Sequence, residues 1–161
     1  MPLGRADSAA FEPYTAKVER VSTEGEAATK AGFQYVRFTV TDMNWPQAET
    51  VDRFLDFLRG LPKGQANWFH FHCHAGHGRT TSFMVMYEIL RGTEGLEDIV
   101  ANQVERGGTN LLALSDDDDY EAELINDRAR KVQLFYEFVK ETQPLLNNVS
   151  WSDWLKAGGE E

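Results

Sequence analysis

Apolar and polar residues alternate in two stretches of the chain, which predicts β-strands there. The stretches run from Tyr35 to Val40 and from Trp68 to His72, and both are rich in β-branched or aromatic side chains. A further short strand is predicted from Ala16 to Val21. The strand at Trp68–His72 leads directly into a glycine-containing loop, which therefore begins at a strand end.

Helical periodicity dominates the rest of the chain. Apolar residues recur at three- and four-residue spacing, and Gly or Pro residues follow several of the periodic runs. Pro46 is placed early in the second helix, because proline is favoured in a first helical turn. The predicted helices cover residues 24–31, 46–59, 80–91, about 96–106, about 117–142 and a short turn at 151–155.

The order of these elements favours an α/β fold, with a mostly parallel central sheet flanked by helices. The run from Thr80 to Arg91 is nearly all apolar after its first turn, which predicts a buried central helix. The loop before it lies at the carboxyl end of a strand, where such sheets bind ligands. The chain has 161 residues and no repeat or linker, so we expect a single domain over residues 1–161.

The composition of the chain argues against some classes of binding partner. The net charge is −10 at pH 7, which argues against nucleic acid, because proteins that bind it present a basic face. No apolar run approaches the ~20 residues of a membrane span, and residues 1–8 contain no signal-peptide core. The compartment stays open: the chain as it stands predicts a cytoplasmic protein, and removal of an export signal would make it periplasmic or secreted. We expect a monomer.

The one cysteine of the chain lies in the loop between the strand and the buried helix, in the run His72-Cys73-His74-Ala75-Gly76-His77-Gly78-Arg79-Thr80. In a strand-loop-helix arrangement, backbone N–H groups converge on an anion. The helix dipole and Arg79 lower the pKa of the thiol, which makes Cys73 a candidate nucleophile. The planar guanidinium of Arg79 matches two phosphate oxygens. This pattern predicts phosphate-ester hydrolysis through a cysteinyl-phosphate.

This segment has two alternative interpretations. A lone cysteine is usually a small buried hydrophobe, but the surrounding loop favours catalysis. A metal site is the second alternative, because five residues of metal-ligating types crowd together, namely His70, His72, Cys73, His74 and His77. It is disfavoured because a phosphate-cradling loop turns its N–H groups inward and its side chains outward. We expect no metal and no cofactor.

Phosphoryl transfer to a thiolate also needs an acid that protonates the leaving oxygen. Asp42 is the best candidate, since it follows a predicted strand end and lies 31 positions before Cys73. The alternative is that Asp42 caps the helix beginning near Pro46. Thr80 can donate a hydrogen bond to the sulfur and help it leave from the intermediate, or satisfy a first-turn N–H, or do both.

An acidic run and a glutamine each have two possible roles. The carboxylates Asp116, Asp117, Asp118 and Asp119 are read as a solvated helix start rather than as a metal site. Gln103 shares a helical stripe with apolar residues, which favours either a semi-buried amide with satisfied hydrogen bonds or an amide that faces a site.

The cysteine loop resembles the signature of the cysteine-dependent phosphatase superfamily, which includes the protein tyrosine phosphatases. More narrowly, the chain resembles the bacterial tyrosine-phosphatase-like phytases over about residues 33–156. The resemblance is carried by Thr41-Asp42 with Trp45-Pro46, Phe54-Leu55, Leu61-Pro62, His70-Phe71-His72-Cys73, Gly76-His77-Gly78-Arg79-Thr80-Thr81 and Phe83-Met84-Val85-Met86, and more weakly by Gln103, Gly107-Gly108 and Trp151-Ser152-Asp153-Trp154-Leu155.

The resemblance implies a tyrosine-phosphatase-like fold and stepwise, metal-free removal of phosphates from inositol hexakisphosphate. It implies that Cys73, Arg79, Asp42 and Thr80 are catalytic and that Gln103 orients the hydrolytic water. His72 becomes a brace beneath the loop. The substrate-binding residues implied are His74, Ala75, Gly76, His77, Gly78 and Arg79.

The chain also departs from larger members of that family, which carry an added small β-barrel domain and several lysines before the long helix. This chain has Asp116–Asp119, Glu121 and Glu123 in that region, which predicts a smaller and less positive pocket. Two competing functions remain: a protein tyrosine or dual-specificity phosphatase with the same loop, and a non-catalytic phosphate-binding pseudophosphatase. The joint presence of Cys73, Arg79 and Asp42 argues against the second.

Overall fold

The structure, a computed structural model, describes Thr15 and residues 17–158. The chain divides into two compact units, Met1–Arg37 and Phe38–Glu161. Among the described residues, the first unit contains one helix and the second contains six. The single phosphatase domain expected over residues 1–161 stays a prediction. The helices of the described residues are α1 (Glu24–Lys30), α2 (Ala48–Arg59), α3 (Gly78–Arg91), α4 (Leu96–Glu105), α5 (Tyr120–Thr142), α6 (Pro144–Asn147) and α7 (Trp151–Gly158).

The predicted α/β fold with a mostly parallel central sheet is wrong for the part of the chain that the structure describes. Neither Tyr35–Val40 nor Trp68–His72 forms a strand, and nor do residues 17–21; Ala16 lies outside the described residues. The predicted alternation of side chains is present nonetheless, since Phe38 and Val40 pack against the core while their neighbours are exposed. Alternation fixes which way side chains point, but a sheet also needs backbone groups paired between neighbouring segments.

The helix predictions are confirmed, with shifted ends. Pro46 is not helical, because α2 begins at Ala48 with Gln47 as its N-cap. The long helix begins at Tyr120, later than predicted, because the Asp119 side chain accepts a hydrogen bond from the Ala122 N–H and so caps it. The short helix α6 was not predicted.

The first unit is built around α1. The side chain of Thr23 accepts a hydrogen bond from the N–H of Glu26, and the Glu26 carboxylate accepts one from the N–H of Thr23. This reciprocal pair satisfies two N–H groups that the first helical turn leaves open. The Tyr35 hydroxyl donates to Glu24 across 2.9 Å, which ties the segment after α1 back to the helix.

The core of the second unit surrounds α3. Phe83 of α3 stacks on Phe38 at 5.6 Å and meets Phe54 of α2 edge-on at 5.1 Å. On the other side, α3 packs against α4 and α5. Because α3 is buried along most of its length, its first turn is held in a fixed position, and this turn is where the cysteine loop ends.

Helix α7 is fixed to α2 through its N-terminus. The Asp52 carboxylate accepts hydrogen bonds from the N–H groups of Trp151 at 2.6 Å and Ser152 at 3.3 Å. Trp151 in turn packs against Phe135 and Phe138 of α5. A carboxylate at a helix N-terminus is stabilised by the helix dipole, so Asp52 joins the C-terminal part of the chain to the core. No helix in residues 17–158 is long and apolar enough to cross a membrane.

Candidate active site

An extended segment delivers Cys73 to the start of α3. Phe69 and Phe71 are half-buried, and their rings lie 5.1 and 6.0 Å from the ring of Tyr87. On the opposite side, His70 is exposed and stacks with Trp68 at 6.0 Å. Cys73 continues the inward phase of this alternation and is itself half-buried. The side-chain pattern thus aims the thiol toward the protein, although the described residues form no sheet that supports the segment.

The loop after Cys73 turns back on the sulfur. The N–H of Gly76 donates to Cys73 Sγ at 3.3 Å. Gly76 has φ of 78°, a left-handed conformation that glycine adopts without the steric cost of a Cβ. His74 and His77 are exposed at the rim of the loop. Their predicted contacts with substrate stay predictions.

The environment of Cys73 favours its thiolate. Partial burial raises the pKa of the thiol, but the Thr80 side chain and the backbone N–H groups of Gly76, Thr80 and Ala75 outweigh it and lower the pKa to about 7. Thr80 Oγ1 acts through its proximity rather than through regular hydrogen-bond geometry, because this buried atom has no partner of that geometry among the described residues. Near neutral pH a large fraction of Cys73 is therefore ionised, as a nucleophile requires.

Side chains in the first turn of α3 hold the end of the loop. Thr81 Oγ1 donates to the carbonyl of His77 at 2.9 Å and accepts from the N–H of Thr109 at 3.1 Å. The Ser82 hydroxyl donates to the carbonyl of Gly78 at 3.0 Å. The first N–H groups of a helix have no partner within the helix, so this anchored turn presents them to the loop as an anion-binding surface.

Asp42 lies at the same site, in a tight turn. Its Oδ1 is 2.9 Å from Nη2 of Arg79, and its side chain is 78% exposed. The N–H of Met43 also donates to this oxygen at 3.1 Å, and Met43 has φ of 63°. The structure therefore brings together the predicted acid, the predicted phosphate-binding arginine and the predicted nucleophile loop. The alternative of a helix cap is not seen, since Gln47 is the N-cap of α2.

The turn that carries Asp42 is anchored by a tryptophan. Trp45 is 3% exposed, and its ring lies 6.1 Å from that of Phe135 on α5. This burial fixes one end of the turn against the core, while Asp42 itself remains exposed. A carboxylate in such a position can contact Arg79 or a bound substrate with small changes in its own side chain.

The two predicted supporting residues, His72 and Gln103, have different surroundings. His72 Nδ1 lies 3.3 Å from the carbonyl of Cys73, and its predicted role as a brace beneath the loop stays a prediction. Gln103 is buried, and its amide nitrogen donates to Glu88 at 2.7 Å. Glu88 is ten residues into α3 and thus about 15 Å along the helix from Gly78. This contact favours a packing role between α3 and α4, and the water-orienting role of Gln103 stays a prediction.

Arg128 lies beside the cysteine loop, and the sequence analysis did not predict it there. It lies on α5, is 6% exposed, and its Nη1 is 2.9 Å from the position that a Cβ atom on Gly78 would occupy. The available signal was its spacing, since Arg128 precedes the buried residues Val132 and Phe135 by four and seven positions and so shares their buried stripe. A charged residue on such a stripe is rare unless it is paired.

The histidines near Cys73 do not assemble a metal site. No group of three or more His, Cys, Asp or Glu side chains is placed to hold a metal ion within the described ranges. The chemistry that this arrangement offers is that of a thiolate, a guanidinium, a carboxylate and a helix N-terminus.

Solved structures with a similar path of the chain include two from Mitsuokella multacida. One, a PTP-like myo-inositol phosphatase in complex with myo-inositol-(1,3,4,5)-tetrakisphosphate, has a TM-score of 0.81 at 35% identity over 91% of this chain. The other, a tandemly repeated protein tyrosine phosphatase-like phytase, has a TM-score of 0.82 at 35% identity over 94% of this chain. A PTP-like phytase from Bdellovibrio bacteriovorus has a TM-score of 0.79 at 35% identity over 90%.

Curated relatives include an effector protein from Pseudomonas syringae pv. tomato, hopD2, which is 26% identical over 88% of this chain. AvrBs1.1 from Xanthomonas campestris pv. campestris is 40% identical over 53% of this chain and 86% of its own length. The present chain spans 31% of hopD2, and 25%, 26% and 56% of the three solved chains.

The sequence also matches a protein-family model described as PTP-like phytase, inositol hexakisphosphate, over residues 5–91. That match covers more than half of the 161 residues, and it includes Asp42, Cys73, Arg79 and Thr80. The chain belongs to the PTP-like phytase family.

Proposed function

We propose that this chain is a cysteine-dependent phosphatase that removes phosphates from inositol polyphosphates through a cysteinyl-phosphate intermediate. The observation that carries the proposal is the ion pair between Asp42 and Arg79, beside a Cys73 thiol whose pKa is about 7. A nucleophile, a phosphate-binding cation and an acid thus occupy one site. Simple phosphate binding requires no nucleophile, so the three groups together favour catalysis over a pseudophosphatase.

In the first step the Cys73 thiolate attacks phosphorus, an S–P bond forms, and the bond between phosphorus and the ester oxygen of the inositol breaks. The electron pair of that bond stays on the leaving oxygen, which takes a proton from Asp42. Asp42 enters this step as the neutral acid, after it has left Arg79 and taken a proton from solvent. Arg79 and the N–H groups of the loop stabilise the charge on the phosphoryl oxygens. The products of this step are an inositol with one phosphate fewer, phosphorylated Cys73 and ionised Asp42.

In the second step water attacks the phosphorus of the intermediate and Asp42 takes its proton. The S–P bond breaks, inorganic phosphate leaves and the electron pair returns to sulfur. Thr80 and the N–H groups that lower the pKa of Cys73 also make its thiolate a better leaving group. Atoms and charges therefore balance without a metal or other cofactor.

The loop supplies the phosphate contacts in this proposal. Arg79 provides the bidentate guanidinium, and the backbone of His74, Ala75, Gly76, His77 and Gly78 provides the N–H groups. The buried Arg79 Nε has no hydrogen-bond partner within residues 17–158. A buried donor of this kind is costly unless a partner satisfies it, and a phosphate oxygen is a suitable acceptor.

The class of substrate follows from the family. Its description refers to inositol hexakisphosphate, and one of the similar solved structures is a complex with an inositol tetrakisphosphate. We propose that a highly phosphorylated inositol is bound by the loop and by lysine and arginine side chains around it, even though the chain is acidic overall. Exposed charges farther than about 8–10 Å are screened by salt, so distant carboxylates oppose binding weakly.

The experiment compares phosphate release from inositol hexakisphosphate and from a phosphotyrosine peptide at equal concentration. We expect the inositol phosphate to be hydrolysed much faster, and release to continue to lower phosphorylation states. A preference for the peptide would contradict the substrate class and favour a protein tyrosine or dual-specificity phosphatase. Release from neither substrate, together with retained phosphate binding, would favour a pseudophosphatase.

A further inference from the structure

The hydroxyl of Thr81 connects two parts of the chain that are far apart in sequence. Thr81 lies in the first turn of α3 and is 1% exposed. Its Oγ1 donates to the carbonyl of His77 at 2.9 Å and accepts a hydrogen bond from the N–H of Thr109 at 3.1 Å. Helical threonines often donate to the carbonyl four residues earlier, but the bond from Thr109 is additional to that local pattern. The end of the cysteine loop is therefore joined to the segment that follows α4.

The segment after α4 is shaped to approach Thr81 closely. Gly107 has φ of 92°, and the N–H of Gly108 donates to the carbonyl of Gln103 at 2.8 Å, which is a common way for a helix to end at a glycine. A Cβ on Gly108 would lie 3.1 Å from Thr81 Oγ1 and 2.8 Å from the carbonyl oxygen of Gln103. A side chain at this position would force a shift, so the approach of the Thr109 N–H to Thr81 depends on Gly108.

The carbonyl that Thr81 holds sets the direction of an N–H group in the loop. The His77 oxygen accepts a hydrogen bond from the N–H of Thr81 at 2.8 Å in addition to the one from its hydroxyl. The peptide bond between His77 and Gly78 is planar and trans. The N–H of Gly78 therefore points away from α3, in the direction opposite to the His77 carbonyl. In the proposed reaction this is the side on which phosphate binds.

We propose that Thr81 is a positioning residue of the phosphate loop, and that its hydroxyl fixes the peptide that presents the N–H of Gly78 to the phosphate. This inference rests on the proposed function, because it requires that the loop binds phosphate. Thr81 itself contacts no substrate atom in this proposal. It acts through His77 and is held in place by Thr109.

This role separates phosphate binding from ionisation of the nucleophile. The backbone N–H groups that lower the pKa of Cys73 belong to Gly76, Thr80 and Ala75, and the N–H of Gly78 is not one of them. Loss of the Thr81 hydroxyl should therefore weaken phosphate binding and leave the ionisation of Cys73 unchanged. General damage to the loop would alter both properties.

The test measures binding of inorganic phosphate to the whole chain by calorimetry, and the pH dependence of Cys73 alkylation by iodoacetamide. Thr81→Val removes the hydroxyl with little change of shape, and Thr81→Ser keeps it. The matched control is Thr142→Val, which removes a hydroxyl that donates to the Phe138 carbonyl four residues earlier at 2.7 Å. We expect Thr81→Val to weaken phosphate binding by about 3- to 10-fold, the range for one neutral hydrogen bond. The alkylation midpoint should stay at about pH 7, and Thr81→Ser and Thr142→Val should bind phosphate as the unmodified protein does.

A second variant, Gly108→Ala, tests the same contact from the other side. Its Cβ would displace the segment after α4 from Thr81 while the hydroxyl remains. The matched control is Gly107→Ala, which strains the same turn, although no atom of the described residues lies within 4 Å of the added Cβ. We expect a loss of phosphate affinity in Gly108→Ala that is clearly larger than in Gly107→Ala.

The outcomes that overturn the inference differ from those that overturn the proposed function. Unchanged phosphate affinity in Thr81→Val would overturn the inference. A loss of affinity that is accompanied by a higher alkylation midpoint, or that Thr81→Ser does not restore, would overturn it too, because it indicates general damage to the loop. If Thr81→Val does not fold, Gly108→Ala and its control decide by the same criteria. Failure of the unmodified protein to bind phosphate would overturn the proposed function, and this inference with it.

Discussion

The Asp42 carboxylate forms an ion pair with Arg79, with 2.9 Å between Oδ1 and Nη2. In the proposed reaction, Arg79 is also the residue that contacts the phosphate of the substrate. Phosphate and Asp42 are both anions and therefore compete for one guanidinium. In the proposed reaction, bound phosphate displaces Asp42 from Arg79, and Asp42 then takes up a proton that it can donate to the leaving oxygen. On this proposal the ion pair links substrate binding to the position of the acid.

Replacement of Asp42 by asparagine should have opposite effects on rate and binding. We expect kcat to fall by about 10²–10⁴-fold, the usual contribution of one general acid. The affinity for inorganic phosphate should rise, because the competing carboxylate is gone. The rate should fall less for nitrophenyl phosphate, whose leaving group needs little protonation. Steady-state kinetics and calorimetry measure both effects.

The matched control for this variant is Asp56→Asn, which removes an exposed carboxylate paired with Arg59 on α2. It should leave kcat and phosphate affinity unchanged. Equal losses of rate for activated and unactivated esters in Asp42→Asn would show that Asp42 is structural and that the acid lies elsewhere.

Replacement of Arg79 by lysine should be severe despite the conserved charge. An ammonium group is a point charge and cannot provide two parallel hydrogen bonds to phosphate oxygens. We expect a loss of at least about 100-fold in kcat/KM, since one oxyanion-stabilising donor contributes 10²–10³-fold. The control, Arg106→Lys, lies at an exposed position at the end of α4. Kinetics within a few-fold of wild type for Arg79→Lys would contradict the bidentate role.

The pKa of Cys73 can be tested through Thr80. Alkylation by iodoacetamide should follow the thiolate, with a midpoint at about pH 7 in the unmodified protein. Thr80→Val keeps the shape of the side chain and removes the hydroxyl. The midpoint should then rise toward the ~8.5 of a free thiol, so that reactivity below pH 7 falls. Thr142→Val, which removes a hydroxyl bonded to its own helix at Phe138, should leave the midpoint unchanged. An unshifted midpoint in Thr80→Val would contradict the role of Thr80.

Removal of metal ions should leave the activity unchanged, because every step of the proposed reaction uses side chains and backbone groups of the chain. The measurement is phosphate release before and after dialysis against EDTA. Loss of activity that zinc restores would support the metal site considered for His70, His72, Cys73, His74 and His77.

The helices and the cysteine loop could be predicted from sequence, because both depend on local patterns. The spacing of Val51, Phe54 and Leu55 identifies the buried face of α2, and all three are buried. The sheet was predicted wrongly for a physical reason: residues 35–40 and 68–72 have the alternation of strands, but pairing depends on distant backbone groups that alternation does not report. The side-chain pattern of a segment indicates which side chains face the core. Contacts with distant segments decide whether its backbone pairs into a sheet.

The residues of the candidate site show the same difference between local patterns and distant contacts. Cys73, Gly76 and Arg79 are close in sequence, so their meeting follows from one loop. Asp42 was predicted because the proposed chemistry requires an acid, and the structure places it beside Arg79. Arg128 was not found, because its approach to Gly78 depends on how α5 packs against α3, and a helical pattern alone does not give that arrangement.

The central claim is that Cys73 carries the phosphoryl group during turnover. The direct measurement is to mix the chain with inositol hexakisphosphate labelled with ³²P, stop the reaction with acid within milliseconds, and locate the label by mass spectrometry. Phosphorylated Cys73 should accumulate in the unmodified protein and to a greater extent in Asp42→Asn, in which hydrolysis of the intermediate is slowed. It should be absent in Cys73→Ser, which should also lose turnover by several orders of magnitude. Turnover without label on Cys73, or a Cys73→Ser variant that keeps more than about a hundredth of the rate, would contradict the account.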